Sequence, residues 1–258
     1  MGEACLFSLA GRVALVTGGT RGVGRMIADG LENQGARVYV ASRKAGDGEL
    51  LKGGLRALQA DVSTHAGITD LAQRFAALEP QLDILVNNAG VAWGARLEDV
   101  DERSWDRVMA VNLKAPFFMA QAFLPLLHAS AATGRKAKVI NIGSIDGLWV
   151  NAWETYAYQA SKAGLQHLTR RLAAELIGQG IVVNAIAPGA FPSDMNRAAR
   201  DRGEAISAAI PAGRVGTPED MAAAAVYLAS RGGDYVVGSV LAVDGGLVYA
   251  NPGNMGSA

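Results

Sequence analysis

One cysteine, Cys5, is all that 258 residues provide, so no disulfide can form within the chain and the fold must rest on its core. Such sparing use of thiols suits a reducing compartment, and the cytoplasm is the expected location. No charge of one sign prevails. The 24 lysines and arginines balance 24 aspartates and glutamates, which leaves no net field to gather nucleic acid or an anionic membrane. Long apolar runs are lacking too: none reaches the roughly 18 residues that a spanning helix needs. The first residues carry no basic stretch ahead of an apolar one, and Leu6 stands where a myristoylation signal needs Ser or Thr. Neither a nucleic-acid partner nor a membrane is expected, and no residues are assigned to a metal.

What is present is apolar material in short, regular portions. Half of the residues are hydrophobic, enough for one sizeable core, and residues 1–258 read as a single domain. Nearly continuous, β-branched runs at 13–17, 37–41, 82–87, 138–142, 181–186 and 240–243 have the character of parallel strands covered on both faces. Longer stretches, among them 104–129 and 156–179, repeat apolar residues at helical spacing. This alternation predicts an α/β fold: a Rossmann-type, doubly wound parallel sheet in three α/β/α layers. No repeat or linker divides the chain, and only the tail at 251–258 reads as loose.

Directly after the first strand, Thr17-Gly18-Gly19-Thr20-Arg21-Gly22-Val23-Gly24 leads into a helix beginning near Val23. Such a turn aims backbone N–H groups and the positive end of a helix dipole at one point, where a pyrophosphate binds if no side chain blocks it. Gly18, Gly22 and Gly24 keep that approach open. Their G-x-x-x-G-x-G spacing differs from the common G-x-G-x-x-G, and a tight turn without ligand is the plainer alternative.

From this motif onward the chain resembles the short-chain dehydrogenase/reductase family over nearly its whole length. Residues 17–24 match that family's T-G-x-x-x-G-x-G; Asp61-Val62 match the pair after its third strand, and Asn87-Asn88-Ala89-Gly90 its N-N-A-G. Asn112 matches its helix asparagine, Ser144 its catalytic serine, Tyr158 and Lys162 its Y-x-x-x-K, and Pro188-Gly189 its P-G pair. The resemblance implies hydride transfer between a nicotinamide cofactor and a carbinol carbon, with Tyr158 giving or taking the proton. It implies that Lys162 holds the nicotinamide ribose, Ser144 bonds the substrate oxygen, and Asn112 positions a water. Cofactor contacts are implied for Thr20, Arg21 and Val23 in the first turn, for Asp61 and Val62 beside the adenine, and for Asn88, Ala89 and Gly90. They are also implied for Phe191 and Ser193 beyond the P-G pair, inside a substrate lid near 190–210. Pairing of long helices across two-fold axes implies a homo-oligomer, tetramer or dimer.

The residues argue for the same chemistry directly. Tyr158 and Lys162 stand four apart, so a helix puts both on one face and lets phenol and ammonium converge on one molecule. A free tyrosine titrates near pKa ~10, and a close cation stabilises its phenolate; Lys162 is expected to lower the Tyr158 pKa. Tyr156 does not stand one turn from Lys162, and related enoyl reductases space their Tyr and Lys more widely still. Plainer alternatives are a surface pair for Tyr158 and Lys162, a strand-end cap for Ser144, a helix-interior polar residue for Asn112, and strand-to-helix caps for Asn87 and Asn88.

Cofactor choice turns on the end of the second strand, Val40-Ala41-Ser42-Arg43. An NAD enzyme needs a carboxylate there for the ribose hydroxyls, and an NADP enzyme must accept a phosphate. A hydroxyl and a guanidinium stand at this end, Arg21 lies in the glycine turn, and arginine's planar fork suits a phosphate dianion. NADP(H) is therefore expected. Asp47 and Glu49 come too late for the acidic role unless the loop folds back. Gly46, Gly48, Gly53 and Gly54 before Asp61 predict a short or irregular second crossover.

The spacing from Ser144 to Tyr158 is one residue longer than is common, as in β-ketoacyl reductases associated with rhamnolipid biosynthesis. The chain is also similar to these at residues 141–144, 156–158, 181–189 and 191–193. This favours a 3-oxoacyl or similar carbonyl as the small-molecule substrate, with the corresponding alcohol as product. A sugar or polyol dehydrogenase of the gluconate 5-dehydrogenase kind is the alternative, and a non-catalytic NADP(H) sensor is the alternative of another class. Candidates for the substrate pocket are Trp93, Ile145, Asp146, Trp149, Trp153 and Met195; Trp149 and Trp153 could instead cover a neighbouring subunit.

Overall fold

The computed structural model describes residues 5–194, 196–201 and 203–251. Met195 and the tail from 252 onward lie outside the described residues. One parallel sheet contains β1 (Val13–Thr17), β2 (Arg37–Ser42), β3 (Arg56–Gln59), β4 (Ile84–Asn87), β5 (Ala137–Ile142), β6 (Ile181–Pro188) and β7 (Val240–Val243). Their spatial order is β3-β2-β1-β4-β5-β6-β7. The six expected strands are present close to their expected bounds. The seventh, β3, buries only Ala57 and Leu58 between exposed Arg56 and Gln59, too brief an apolar pattern to stand out in the sequence.

Side chains alternate across the sheet and pack into two cores. Ala14, Val16, Val40, Val86, Ile140 and Ile186 meet α1 (Gly22–Asn33) and α8 (Pro218–Ala229) on one face. Leu15, Tyr39, Leu85, Val139 and Val183 meet α2 (His65–Leu78), α4 (Ala115–Ala131) and α5 (Tyr156–Leu176) on the other. The result is the expected three-layer, doubly wound sheet. Helix starts are encoded locally. Thr64 caps α2 by accepting from the Gly67 amide, and Thr217 with Asp220 forms a capping box ahead of Pro218, the first residue of α8.

One expectation about helices needs correcting. Residues 104–129 are not a single α-helix: α3 (Glu102–Met109) and α4 are joined by a π-helical turn, Ala110–Lys114. The whole stretch Glu102–Ala131 is long and apolar enough, by length and composition, to cross a membrane. Here Met119, Phe123 and Leu127 are buried against the sheet, as in the core helix of a layered fold. The second crossover is irregular, as expected: between β2 and β3 there is no helix. Gly48, Gly53 and Gly54 take positive φ in its turns, and Leu50 bridges Arg56.

Candidate active site

Connections leave β1 and β4 in opposite directions across the sheet, which opens a crevice at the carboxyl ends of the strands. A cleft of about 990 Å³ occupies this position. Its floor is the glycine turn, with Gly18 at φ +65° and Gly22 at φ +55°, conformations that suit glycine alone. A Cβ on Gly24 would stand 2.3 Å from Asn88 Nδ2 and 2.4 Å from the Gly18 oxygen. That space is taken up by hydrogen bonds: Asn88 Nδ2 donates to the carbonyls of Thr17 (2.8 Å) and Gly18 (3.2 Å). Thr17 Oγ1 in turn accepts from the amides of Asn88 and Ala89, both at 3.0 Å. The Asn88 side chain therefore shapes the turn. Thr20, Arg21, Gly22, Val23 and the backbone of Ala89-Gly90 face the cleft.

At the far end, Ser42, Arg43, Asp61 and Val62 line the cleft as expected. Asp61 Oδ1 is taken up by the Ser63 amide (3.0 Å) and hydroxyl (2.7 Å). Burial opposes its ionisation, and the Ser63 bonds outweigh this and hold the carboxyl below its ordinary pKa. Asp47 does not fold back: its Oδ1 pairs with Arg74 at 2.7 Å and accepts from the Gln59 amide at 2.9 Å. Glu49 Oε2 accepts from the Gly46 amide at 3.2 Å. Neither lines the cleft, so the donor set at this end is the hydroxyl of Ser42 and the guanidinium of Arg43, which fits a 2′-phosphate. Arg21 lines the cleft and places Nη1 on Asp194 Oδ2 at 2.9 Å.

At the reacting end, β5 delivers Ser144 and the first turns of α5 deliver Tyr158 and Lys162 into the same cleft. Ser144 is buried and lines the cleft together with Tyr158. Lys162, 4% exposed, donates from Nζ to the Ile142 carbonyl at 2.7 Å and lies 5.6 Å from the centroid of the Tyr158 ring. Desolvation pushes the phenol up to about 12; the neighbouring Ser144 hydroxyl opposes this and the Asp146 charge adds to it. The expected lowering by Lys162 does not appear, because the ammonium lies over the ring and burial of the hydroxyl dominates. Burial also brings Lys162 down to about 8, against the pull of Asp146.

Asn112 sits in the π-helical turn, 1% exposed. Its amide exchanges two bonds with the Val91 backbone, each 2.9 Å, and donates to Ser161 Oγ at 3.1 Å. It thus fixes the loop after β4 against α5, and a wide turn of this kind is a common feature of functional helices. Ile145, Asp146, Trp149 and Trp153 line the cleft, whereas Trp93 is not on its wall. Pro188 ends β6, Gly189 donates to the Val243 carbonyl at 2.9 Å, Phe191 is buried, and Ser193 Oγ accepts from the Asn196 amide at 3.1 Å. Arg107, Asn151 and Asp194 also line the cleft and Ser161 accepts from Asn112; none of the four belongs to a motif that could be read in the sequence.

Residues 18–248 match the family model described as enoyl-(acyl carrier protein) reductase. The chain is 48% identical, over 252 residues, to the rhamnolipids biosynthesis 3-oxoacyl-[acyl-carrier-protein] reductase of Pseudomonas aeruginosa, covering 93% of this chain and 97% of the relative. Its structure is similar to the Pseudomonas aeruginosa RhlG/NADP active-site complex, with a TM-score of 0.89 at 48% identity, over 94% of this chain and 98% of that one. It is also similar to a putative NAD(P) dependent gluconate 5-dehydrogenase from Beutenbergia cavernae with bound NADP, with a TM-score of 0.84 at 40% identity over 94% and 98% of the two chains.

Proposed function

The chain belongs to the short-chain dehydrogenase/reductase family, and from that premise we propose that Tyr158 is the general acid/base of a reaction on a 3-oxoacyl compound or a similar ketone. The protein is an NADP(H)-dependent oxidoreductase that interconverts a carbonyl and a secondary alcohol. NADPH supplies the hydride. Every other role falls to this chain's own residues.

The observation that carries the reading is the convergence of Ser144, Tyr158 and Lys162 on one cleft, with the Lys162 ammonium 5.6 Å from the centroid of the Tyr158 ring. With its pKa raised to about 12, the phenol holds its proton at neutral pH and can give it to the substrate oxygen as negative charge develops there. Ser144 bonds the same oxygen. Lys162 holds the ribose and steadies the phenolate left behind; Asn112 keeps the Val91 loop in place and orders a water in the proton path. The glycine turn, Arg21, Ser42 and Arg43 take the phosphates, and the backbone of 88–90 and 188–193 flanks the cofactor. The segment near 190–210 acts as the lid.

An acyl chain suits the apolar wall formed by Ile145, Trp149, Trp153, Ile206 and Leu247, and the 48% identical relative is a 3-oxoacyl reductase by name. The gluconate 5-dehydrogenase neighbour supports the alternative of a sugar or polyol substrate. A cofactor sensor without turnover is disfavoured by the intact Ser144, Tyr158, Lys162 and Asn112. The groove formed by Met109, Leu113, Phe117, Phe118 and Leu168 on α3, the π-helical turn, α4 and α5 supports a homo-oligomer in which a second copy covers this face. Balanced charge and a lone exposed cysteine support a cytoplasmic location. The test is NADPH oxidation with 3-oxoacyl thioesters, keto sugars and cyclic ketones: Tyr158→Phe should abolish turnover and leave NADPH binding nearly intact, and an active variant refutes the assignment.

A further inference from the structure

Tyr158, Lys162 and Gln166 follow one another at four-residue steps along α5 and so share a helical face. The first two belong to the proton transfer described above; the third has no part in it. Gln166 is buried, and its Nε2 donates to the Ser144 carbonyl at 2.8 Å. A carbonyl oxygen only accepts, so the side-chain amide must turn its N–H towards Ser144.

The end of β5 is held where it leaves the sheet. The Gly143 amide makes the last bond to β6, donating to the Ile186 carbonyl at 2.7 Å, and the chain then enters the 3-10 turn Ile145–Gly147. Lys162 Nζ holds the Ile142 carbonyl at 2.7 Å and Gln166 holds that of Ser144, so α5 grips the strand end on both sides of Gly143. Two glycines make room for the Gln166 amide. A Cβ on Gly143 would stand 3.2 Å from Nε2, and one on Gly147 would stand 2.8 Å from it and 2.6 Å from the carbonyl carbon of Lys162.

Stability does not account for an amide at this place. The Ser144 carbonyl also accepts from the Gly147 amide at 3.1 Å, so an apolar residue at 166 would not leave it without a partner. One buried hydrogen bond adds about 1 kcal/mol net, and an apolar side chain of similar size would recover much of that by burial. The second donor fixes direction: two bonds to one carbonyl set the rotation of the Ser144 peptide and with it the side chain. Ser144 Oγ accepts from the Asp146 amide at 3.1 Å, a bond that does not use the hydroxyl proton.

We propose that Gln166 is a positioning residue: it fixes the Ser144 peptide from the helical face that bears Tyr158 and Lys162, and so aims the Ser144 hydroxyl at the substrate oxygen that Tyr158 protonates. This rests on the roles given above to Ser144 and Tyr158. One helix thereby sets the acid/base, the ammonium and, through Gln166, a serine that belongs to another element.

The experiment uses the full chain with NADPH and 3-oxobutanoyl-CoA, and compares the unsubstituted protein with Gln166→Met, Ser144→Ala and the double variant. Gln166→Met keeps the length of the side chain and loses the donor. It should lower kcat about tenfold, the scale of one misplaced hydrogen bond, and change KM for NADPH by less than about twofold. In the Ser144→Ala background the carbonyl at 144 is retained and the hydroxyl is gone, so Gln166→Met should cost nothing further. A merely structural role would disturb Tyr158 and Lys162 as well and lower kcat by the same factor in both backgrounds. That result overturns the proposal, as does full activity in Gln166→Met.

Gln166→Glu is the second variant, and it carries the test if Gln166→Met does not fold. A neutral acid at 166 can donate to the Ser144 carbonyl and a carboxylate cannot, so kcat should fall with rising pH relative to the unsubstituted protein; parallel profiles overturn the proposal. Full activity of Ser144→Ala or of Tyr158→Phe strikes the reading of the site, and the proposal with it. If the thioester is not turned over, the substrate reading fails and amide hydrogen exchange of the NADPH-bound protein decides. Gln166→Met should then speed exchange at Asp146 and Gly147, whose amides bond Ser144, about tenfold and leave Val139 and Ile140 unchanged. Unchanged exchange at Asp146 and Gly147 overturns the proposal.

Discussion

Arg21 Nη1 and Asp194 Oδ2 meet 2.9 Å apart and join the glycine turn to the segment after β6. Asp194 also pairs with Arg200 Nη1 at 2.8 Å, in the short helix α6 (Arg197–Asp201). The carboxylate therefore competes for the guanidinium that we propose meets the cofactor's phosphates. Both partners of the first pair are well exposed, and such pairs add little to stability. Asp194→Asn should leave Tm unchanged and tighten NADPH binding about two- to fivefold at low salt, with the gain fading at high salt. Nicotinamide fluorescence titrations at two ionic strengths read this directly. Weaker binding in the variant would show that Asp194 holds Arg21 in place for the phosphate.

Arg43 gives the matching prediction for cofactor choice. Asp47 is committed to Arg74 and does not line the cleft beside Arg43. Arg43→Ala should raise the Kd for NADPH by about tenfold or more, the scale of a charge-assisted bond, and change that for NADH much less. Equal losses for the two cofactors would contradict a role in reading the phosphate.

The Lys162 ammonium is buried, and its pKa is lowered from 10.5 to about 8. Between these values the unfolded chain binds more protons than the folded one, so this group's contribution to stability rises with pH from about 8 to 10.5. Below that window the folded state carries the desolvated charge. Urea unfolding should show the stability of the unsubstituted protein gaining, relative to Lys162→Met, by up to about 3 kcal/mol across the window. A constant difference would mean that the site hydrates its ammonium.

Gly24→Ala tests the glycine turn. The added methyl meets Asn88 Nδ2 and the Gly18 carbonyl, so the bonds that bind the turn to the end of β4 must give way. A loss of about 1–3 kcal/mol in stability, typical of overpacking, should accompany weakened NADPH binding, checked by calorimetry on the same preparation.

The groove beside Phe117 and Leu168 makes a prediction about assembly. Phe117→Glu should convert an oligomer into smaller species in light scattering coupled to size exclusion, while the circular dichroism of the sheet and helices is retained. An oligomeric state that does not change would place the interface elsewhere.

The sequence by itself determined the elements whose signal is local. The β-branched runs gave the sheet, because strands covered on both faces must be apolar along their length. The glycines at 18, 22 and 24, following a strand, marked the phosphate turn, and the four-residue step from Tyr158 to Lys162 placed both on one helical face. The tertiary structure decided whatever depends on contacts between distant residues. It supplied β3, whose two buried residues are too few to show a period, and the π-helical turn that turns Asn112 towards Val91. It turned Asp47 away to Arg74, set Arg21 on Asp194, and buried the Tyr158 phenol enough to reverse the pKa shift expected from Lys162 alone. Periodicity and spacing are properties of neighbouring residues and can be read along the chain. Desolvation and ion pairing depend on what lies nearby in space, and only the folded arrangement of β5, α5 and the loops above the sheet defines that.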